Sequence, residues 1–127
     1  MIKEQLDLPI YRGKSIKTKQ YVEGYLKTCT DTGANVYWIQ TKDWIDYQID
    51  TRSLCISFPD MLDINGVRVF ASLPTSYNVG DIMKDDEYYG IAKYINCEFV
   101  VEYENCYDNI SEGNFEVVGI PEWTNYQ

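Results

Sequence analysis

The chain has 127 residues, of which 45% are hydrophobic and 15% aromatic, and it carries a formal net charge of −9 with no histidine. That apolar supply suffices for one compact domain and sets the disordered class aside, while the negative field disfavours general binding to phosphate backbones. Without histidine, histidine-based nucleophilic triads are excluded, and with no Cys-x-x-Cys pair either, structural zinc is not expected.

Twelve tyrosines and three tryptophans among many β-branched residues favour pleated sheet, so the predicted fold class is all-β. The opening Met1-Ile-Lys-Glu-Gln-Leu-Asp places charges where a leader would need an apolar core, and no run approaches the ~18 apolar residues of a membrane-spanning helix. A cytoplasmic protein with no membrane partner is expected. Cys29, Cys55, Cys97 and Cys106 form no Cys-x-x-Cys pair, and in a reducing compartment they read as buried small apolar groups.

In chain order, residues 1–10 read as an arm or edge strand, and Lys14, Lys17 and Lys19 punctuate a polar turn, with ordered structure expected from near Tyr21. From Tyr21 to Thr30, Val22, Gly24, Leu26 and Thr28 alternate with Tyr21, Glu23, Tyr25 and Lys27, the period of two of a strand with unlike faces. Asp31-Thr32-Gly33-Ala34 supplies a turn, and Val36-Tyr37-Trp38-Ile39 returns as a hairpin partner. Two further strands are predicted, one on the alternation of Trp44 to Ile49 and one on Leu54, Ile56 and Phe58, closed by Pro59. Asn65-Gly66 is the strongest turn signal, followed by Val67-Arg68-Val69-Phe70 as a strand and by a loop through Pro74 and Asn78. Strands are then expected over Val79–Lys84, Gly90–Ile95, Glu98–Tyr103 and Phe115–Ile120, with a tight turn at Asn96-Cys97 and a polar excursion from Asn105 to Gly113. No apolar stripe keeps helical spacing beyond about two turns.

Several of these segments carry a family likeness. Tyr11-Arg12-Gly13-Lys14 with Tyr21-Val22-Glu23-Gly24-Tyr25-Leu26 resembles the "FRGK…WVYGYL" opening of YopX-like proteins, a group found mostly in phages and prophages. Asp63-Ile64-Asn65-Gly66-Val67-Arg68-Val69-Phe70 resembles its "DxNGxxIF". Gly80-Asp81-Ile82-Met83, Gly90-Ile91-Ala92-Lys93-Tyr94 and Glu98-Phe99-Val100-Val101 resemble "GDIV…GxVxY…xFxV", and Phe115 to Gly119 resembles "xEVIG". The family's "IYEGD" junction is replaced here by Ala71 to Asn78, which separates Phe70 from Gly80-Asp81. The resemblance implies one YopX-like domain over 1–127, with an N-terminal β region over 1–70 and an SH3-like barrel over 71–127. It implies no activity.

Chemistry is sparse. Asp85-Asp86-Glu87 is the densest carboxylate group, yet it lacks the alternating register of a calcium loop and reads as a charged surface loop; a metal-dependent hydrolase there is the weakest reading. Asp81 after Gly80 reads as a carboxylate bonding backbone amides at a strand entrance. Glycine-rich phosphate loops are absent, so no catalytic, cofactor or metal residue is assigned. Residues 81–116 hold ten acidic and two basic side chains, whereas residues 1–30 hold three acidic and six basic ones. Tyrosines crowd the acidic stretch, and small barrels present such aromatics and loop acids to extended peptides. Asp85, Asp86, Glu87, Tyr88, Tyr89 and Tyr94 are therefore the candidate partner-binding residues. The expected function is that of a non-enzymatic, protein-binding accessory module of a bacterial host's phage or prophage, able to form homo-oligomers. The alternative is an acidic inhibitor that imitates nucleic acid.

Overall fold

The computed structural model describes residues 9–31, 34–74, 76–85, 88–103, 107–110 and 114–121. Ten strands follow in order: β1 (Ile10–Ser15), β2 (Tyr21–Asp31), β3 (Ala34–Gln40), β4 (Asp46–Ser57), β5 (Ala71–Ser72), β6 (Ile82–Asp85), β7 (Tyr88–Ile95), β8 (Glu98–Glu102), β9 (Tyr107–Asn109) and β10 (Glu116–Gly119). No α-helix occurs among the described residues. The protein is all-β.

β1 to β4 run up and down and close on themselves, because β4 pairs with β3 at its start and with β1 along the rest of its length. The four form a small barrel, and closure removes the edges that an open sheet would expose. Twelve residues let β4 serve both neighbours, and a register shift between Arg12 and Lys14 bends the closing ladder. Ile39, Ile49 and Leu54 fill the barrel, with Tyr11, Val22, Leu26 and Tyr47 packed around them. Each such aliphatic side chain contributes about 1.5–3 kcal/mol by leaving water.

The remaining strands extend from the barrel. β5 pairs with β4 and, in parallel, with β7; β6, β7, β8 and β9 form an antiparallel meander; β10 returns to β6. This meander and the barrel share a second core of Ile56, Val69, Ala71, Met83, Ala92, Phe99, Val101, Ile110 and Phe115. Where β10 would present a bare edge, the loop before β5 covers it: Ile64 N–H donates to Phe115 O at 3.0 Å, and Val117 N–H to Asp63 Oδ2 at 2.9 Å.

The expected barrel is present, but hydrogen-bonded closure falls on residues 10–57 rather than on the C-terminal half. Among the described residues no ladder joins β9 to β10, so the meander stays open. Other boundaries also moved. Strand structure is already present at β1, ahead of Tyr21, because β1 is needed to seal the ring. The two strands expected on either side of Asp50 to Ser53 are one continuous β4, and Trp44 lies before it in a turn. Val67 to Phe70 contributes only an isolated bridge, Leu62 to Arg68, since Asp63 and Asp81 take amides that a ladder would have used. The polar excursion holds β9 and the buried Ile110. Cys55 is buried as expected, whereas Cys97 is exposed because it occupies the β7–β8 turn.

Candidate partner-binding site

The β6–β7 hairpin brings Asp85 opposite Tyr88 and Lys84 opposite Tyr89. Asp86 and Glu87, which connect the two strands, lie outside the described residues. Tyr88 and Tyr89 are 65% and 60% exposed, unusual for side chains with so much apolar area. They point to opposite faces, as consecutive strand residues must. Tyr88 meets Tyr103 edge to face, ring centroids 6.1 Å apart, while the Lys84 ammonium sits 5.7 Å from the Tyr89 ring centroid. The tyrosine face thus accepts a cation within the chain itself.

Tyr94 does not join this group. Six residues along β7 carry it roughly 20 Å from Tyr88, at ~3.3 Å per residue. There it packs at 5.7 Å from Phe58 and 5.0 Å from Phe99, half-buried in the core. The described part of the site therefore consists of Asp85, Tyr88 and Tyr89, with Tyr103 beside them.

A second constellation ties the barrel to the C-terminal strands. Arg12 and Asp81 are each 3% exposed in their side chains, and Nη1 donates to Asp81 Oδ1 at 2.7 Å. Arg12 Nη2 donates to Val79 O at 3.2 Å, and Phe70 N–H to Asp81 Oδ2 at 2.9 Å. The guanidinium lies 4.8 Å from the Phe70 ring centroid and 5.5 Å from that of Tyr21. Arg12 Nε and the Tyr21 hydroxyl have no partner among the described residues.

Burial opposes the charged guanidinium, but Asp81 outweighs it and holds the Arg12 pKa above its ordinary value. Burial also pushes the Asp81 carboxyl up, against the pull of Arg12 and the Phe70 amide. The Asp63 carboxylate adds a smaller push in the same direction as burial; two donors on one carboxylate are the geometry of an ionised pair. Beside it, Cys55 Sγ donates to Val79 O at 3.2 Å, and burial pushes that thiol up to about 12. Arg12, Asp81, Cys55, Phe70 and Val79 are all sealed from solvent, with Tyr21 half-buried beside them, which makes the constellation a latch.

Gly80 is required at this junction because a Cβ there would collide with the Ala92 carbonyl oxygen. Of the acids in the 81–116 stretch, Asp81 is consumed by Arg12 and Glu102 by Lys93. A continuous double row of charges, as imitation of nucleic acid would need, is correspondingly weakened. Among the described residues no three Cys, Asp or Glu side chains converge to hold an ion. Sequence reasoning placed Asp81 at a strand entrance bonding an amide, which Phe70 bears out, but missed Arg12 as its partner. No family model, no curated protein and no solved structure matches the chain.

Proposed function

We propose that the protein is a non-enzymatic binding module that takes an extended, basic protein segment at the Asp85–Tyr88–Tyr89 end of its β6–β7 hairpin. The observation that carries this reading is the exposure of two large tyrosines on the two faces of one hairpin end, Tyr88 across from the Asp85 carboxylate and Tyr89 across from Lys84, on a hairpin whose own core is already filled by Met83 and Ala92. Tyrosine supplies broad contact area at low entropy cost, and its π face attracts ammonium and guanidinium groups. The resemblance of Tyr11 to Lys14, Asp63 to Phe70 and Gly80 to Met83 to YopX-like segments supports an accessory role in a phage or prophage, exercised in the host cytoplasm.

An array of immobilised basic, proline-rich, acidic and neutral peptides tests the reading. Wild type should retain basic peptides, and Tyr88→Ala with Tyr89→Ala should weaken that retention at least tenfold. Equal retention of all four classes, or unchanged binding by the double variant, would overturn it.

A further inference from the structure

The far end of the barrel carries a second unexplained surface. In an up-and-down circuit the β1–β2 and β3–β4 turns fall at the same end, and here Ile16 N–H donates to Gln48 O at 2.9 Å, near the start of β4. That end exposes Ile16, Trp44 and Ile45, with Trp44 at 81%. Trp44 also stands at φ 65°, in the left-handed region that a bulky side chain enters only at a cost. Two hydrogen bonds, Thr41 N–H to Ile45 O and Trp44 N–H to Thr41 O, hold it there at 2.9 Å each. Glycine would serve that turn better, so the fold gains nothing from an indole facing water.

Charge surrounds the exposed tip. Lys17, Lys19 and Lys42 are exposed and form no ion pair among the described residues; the exposed Asp43 beside Trp44 offsets one of them, whereas Asp46 is engaged by Lys27 and Asp50 by Arg52, so the tip stays net basic. The strand path sets this end opposite the tyrosines. β4 leaves the Trp44 turn and meets β5 antiparallel at Cys55 and Ile56; β5 runs parallel to β7 at Ser72 and Lys93; β7 begins farther along, at Tyr88. One chain therefore holds an apolar, lysine-ringed tip at one end and tyrosines in its acidic half at the other, too far apart to meet each other.

We propose that the chain associates head to tail with a second copy of itself, the Trp44–Ile45–Ile16 tip of one copy docking on the Tyr88–Tyr89 end of the next. Indole and phenol rings pack edge to face, the lysines reach tyrosine faces as Lys84 already does within the chain, and opposite charges fix the orientation. The two surfaces differ, so a head-to-tail pair keeps one tip and one tyrosine end free and assembly is open-ended. The inference rests on the tyrosine end being a binding surface and names its occupant.

Sedimentation of the full chain over a range of concentrations provides the test. Wild type should show mass above 14.8 kDa that grows with concentration and shrinks when salt rises from about 0.05 to about 0.5 M. Trp44→Gly should be monomeric while melting no lower than wild type, and Tyr88→Ala with Tyr89→Ala should also be monomeric. Mixed, these two variants should form a one-to-one complex that grows no further, since each retains the surface the other lacks. A single 14.8 kDa species for wild type at every concentration, or a mixture that stays monomeric, would overturn the proposal. If wild type is monomeric yet still needs Tyr88 and Tyr89 to hold basic peptides, the head-to-tail assignment fails and the peptide-binding reading stands. Binding to vesicles rich in anionic lipid that is lost in Trp44→Gly, without self-association, would give the tip to a membrane surface and likewise overturn it.

Discussion

Arg12 and Asp81 are 69 residues apart in sequence and 2.7 Å apart in space, and each exists in the interior only because of the other. Asp81→Ala would leave a buried guanidinium without its counter-ion and the Phe70 N–H without an acceptor. Urea unfolding should show a loss of about 3–5 kcal/mol. Asp81→Asn should cost less, because an amide oxygen can still accept from Phe70. Cys55 offers a second residue-level measurement. Its folded pKa lies near 12 against an ordinary 9.0, so between these values the folded state holds a proton that the unfolded state has lost. The resulting stability is complete below about pH 9 and declines as pH rises toward 12, at up to ~1.4 kcal/mol per pH unit. Denaturation curves at pH 9 and 10 should show this slope in wild type and a smaller one in Cys55→Ala. Alkylation mapped by peptide mass should modify Cys97 in the folded protein and Cys55 only after unfolding.

At the scale of the element, the β7–β8 hairpin turns on Asn96 and Cys97 at φ 53° and 66°. Such a two-residue turn favours Asn-Gly, so Cys97→Gly should raise the melting temperature by a few degrees, corresponding to about 1 kcal/mol. Gly80→Ala should do the reverse, since the new methyl meets the Ala92 carbonyl and β7 would have to shift. These turns and the strands that flank them were legible: alternation located β2, β3, β7 and β8, and Asn65-Gly66 marked a true turn, with Gly66 at φ 81°. What stayed hidden has physical causes. Asp50 to Ser53 is polar enough to read as a break, yet Ser53 accepts from Lys14 N–H and keeps β4 continuous through the irregularity. Trp44 is a poor guess for a left-handed turn, so its place could not be read from propensity. Tyr94 sits near the acidic run in sequence, but the length of the strand, which local composition does not reveal, sends it into the core. No periodic signal says which of many aspartates Arg12 will meet.

For the whole molecule, the latch adds a buried ion pair to a junction otherwise made of the β4–β5 seam, hydrogen bonds from Arg68, Ser76 and Tyr77 to β4, and apolar contacts around Ile56, Tyr11 and the Cys55–Phe70–Val79 cluster. Wild type should therefore unfold in one transition by fluorescence and by circular dichroism, and Asp81→Ala should separate the two curves. Closure of the ring on β1 also bears on how the protein is made. β1 leaves the ribosome ahead of its partner, since the carboxylate that neutralises Arg12 emerges 69 residues later. Until then a guanidinium destined for the interior has only water to satisfy it. Translation therefore delivers β1 before the group that seats it, and the polypeptide completes its architecture only after synthesis has passed Asp81.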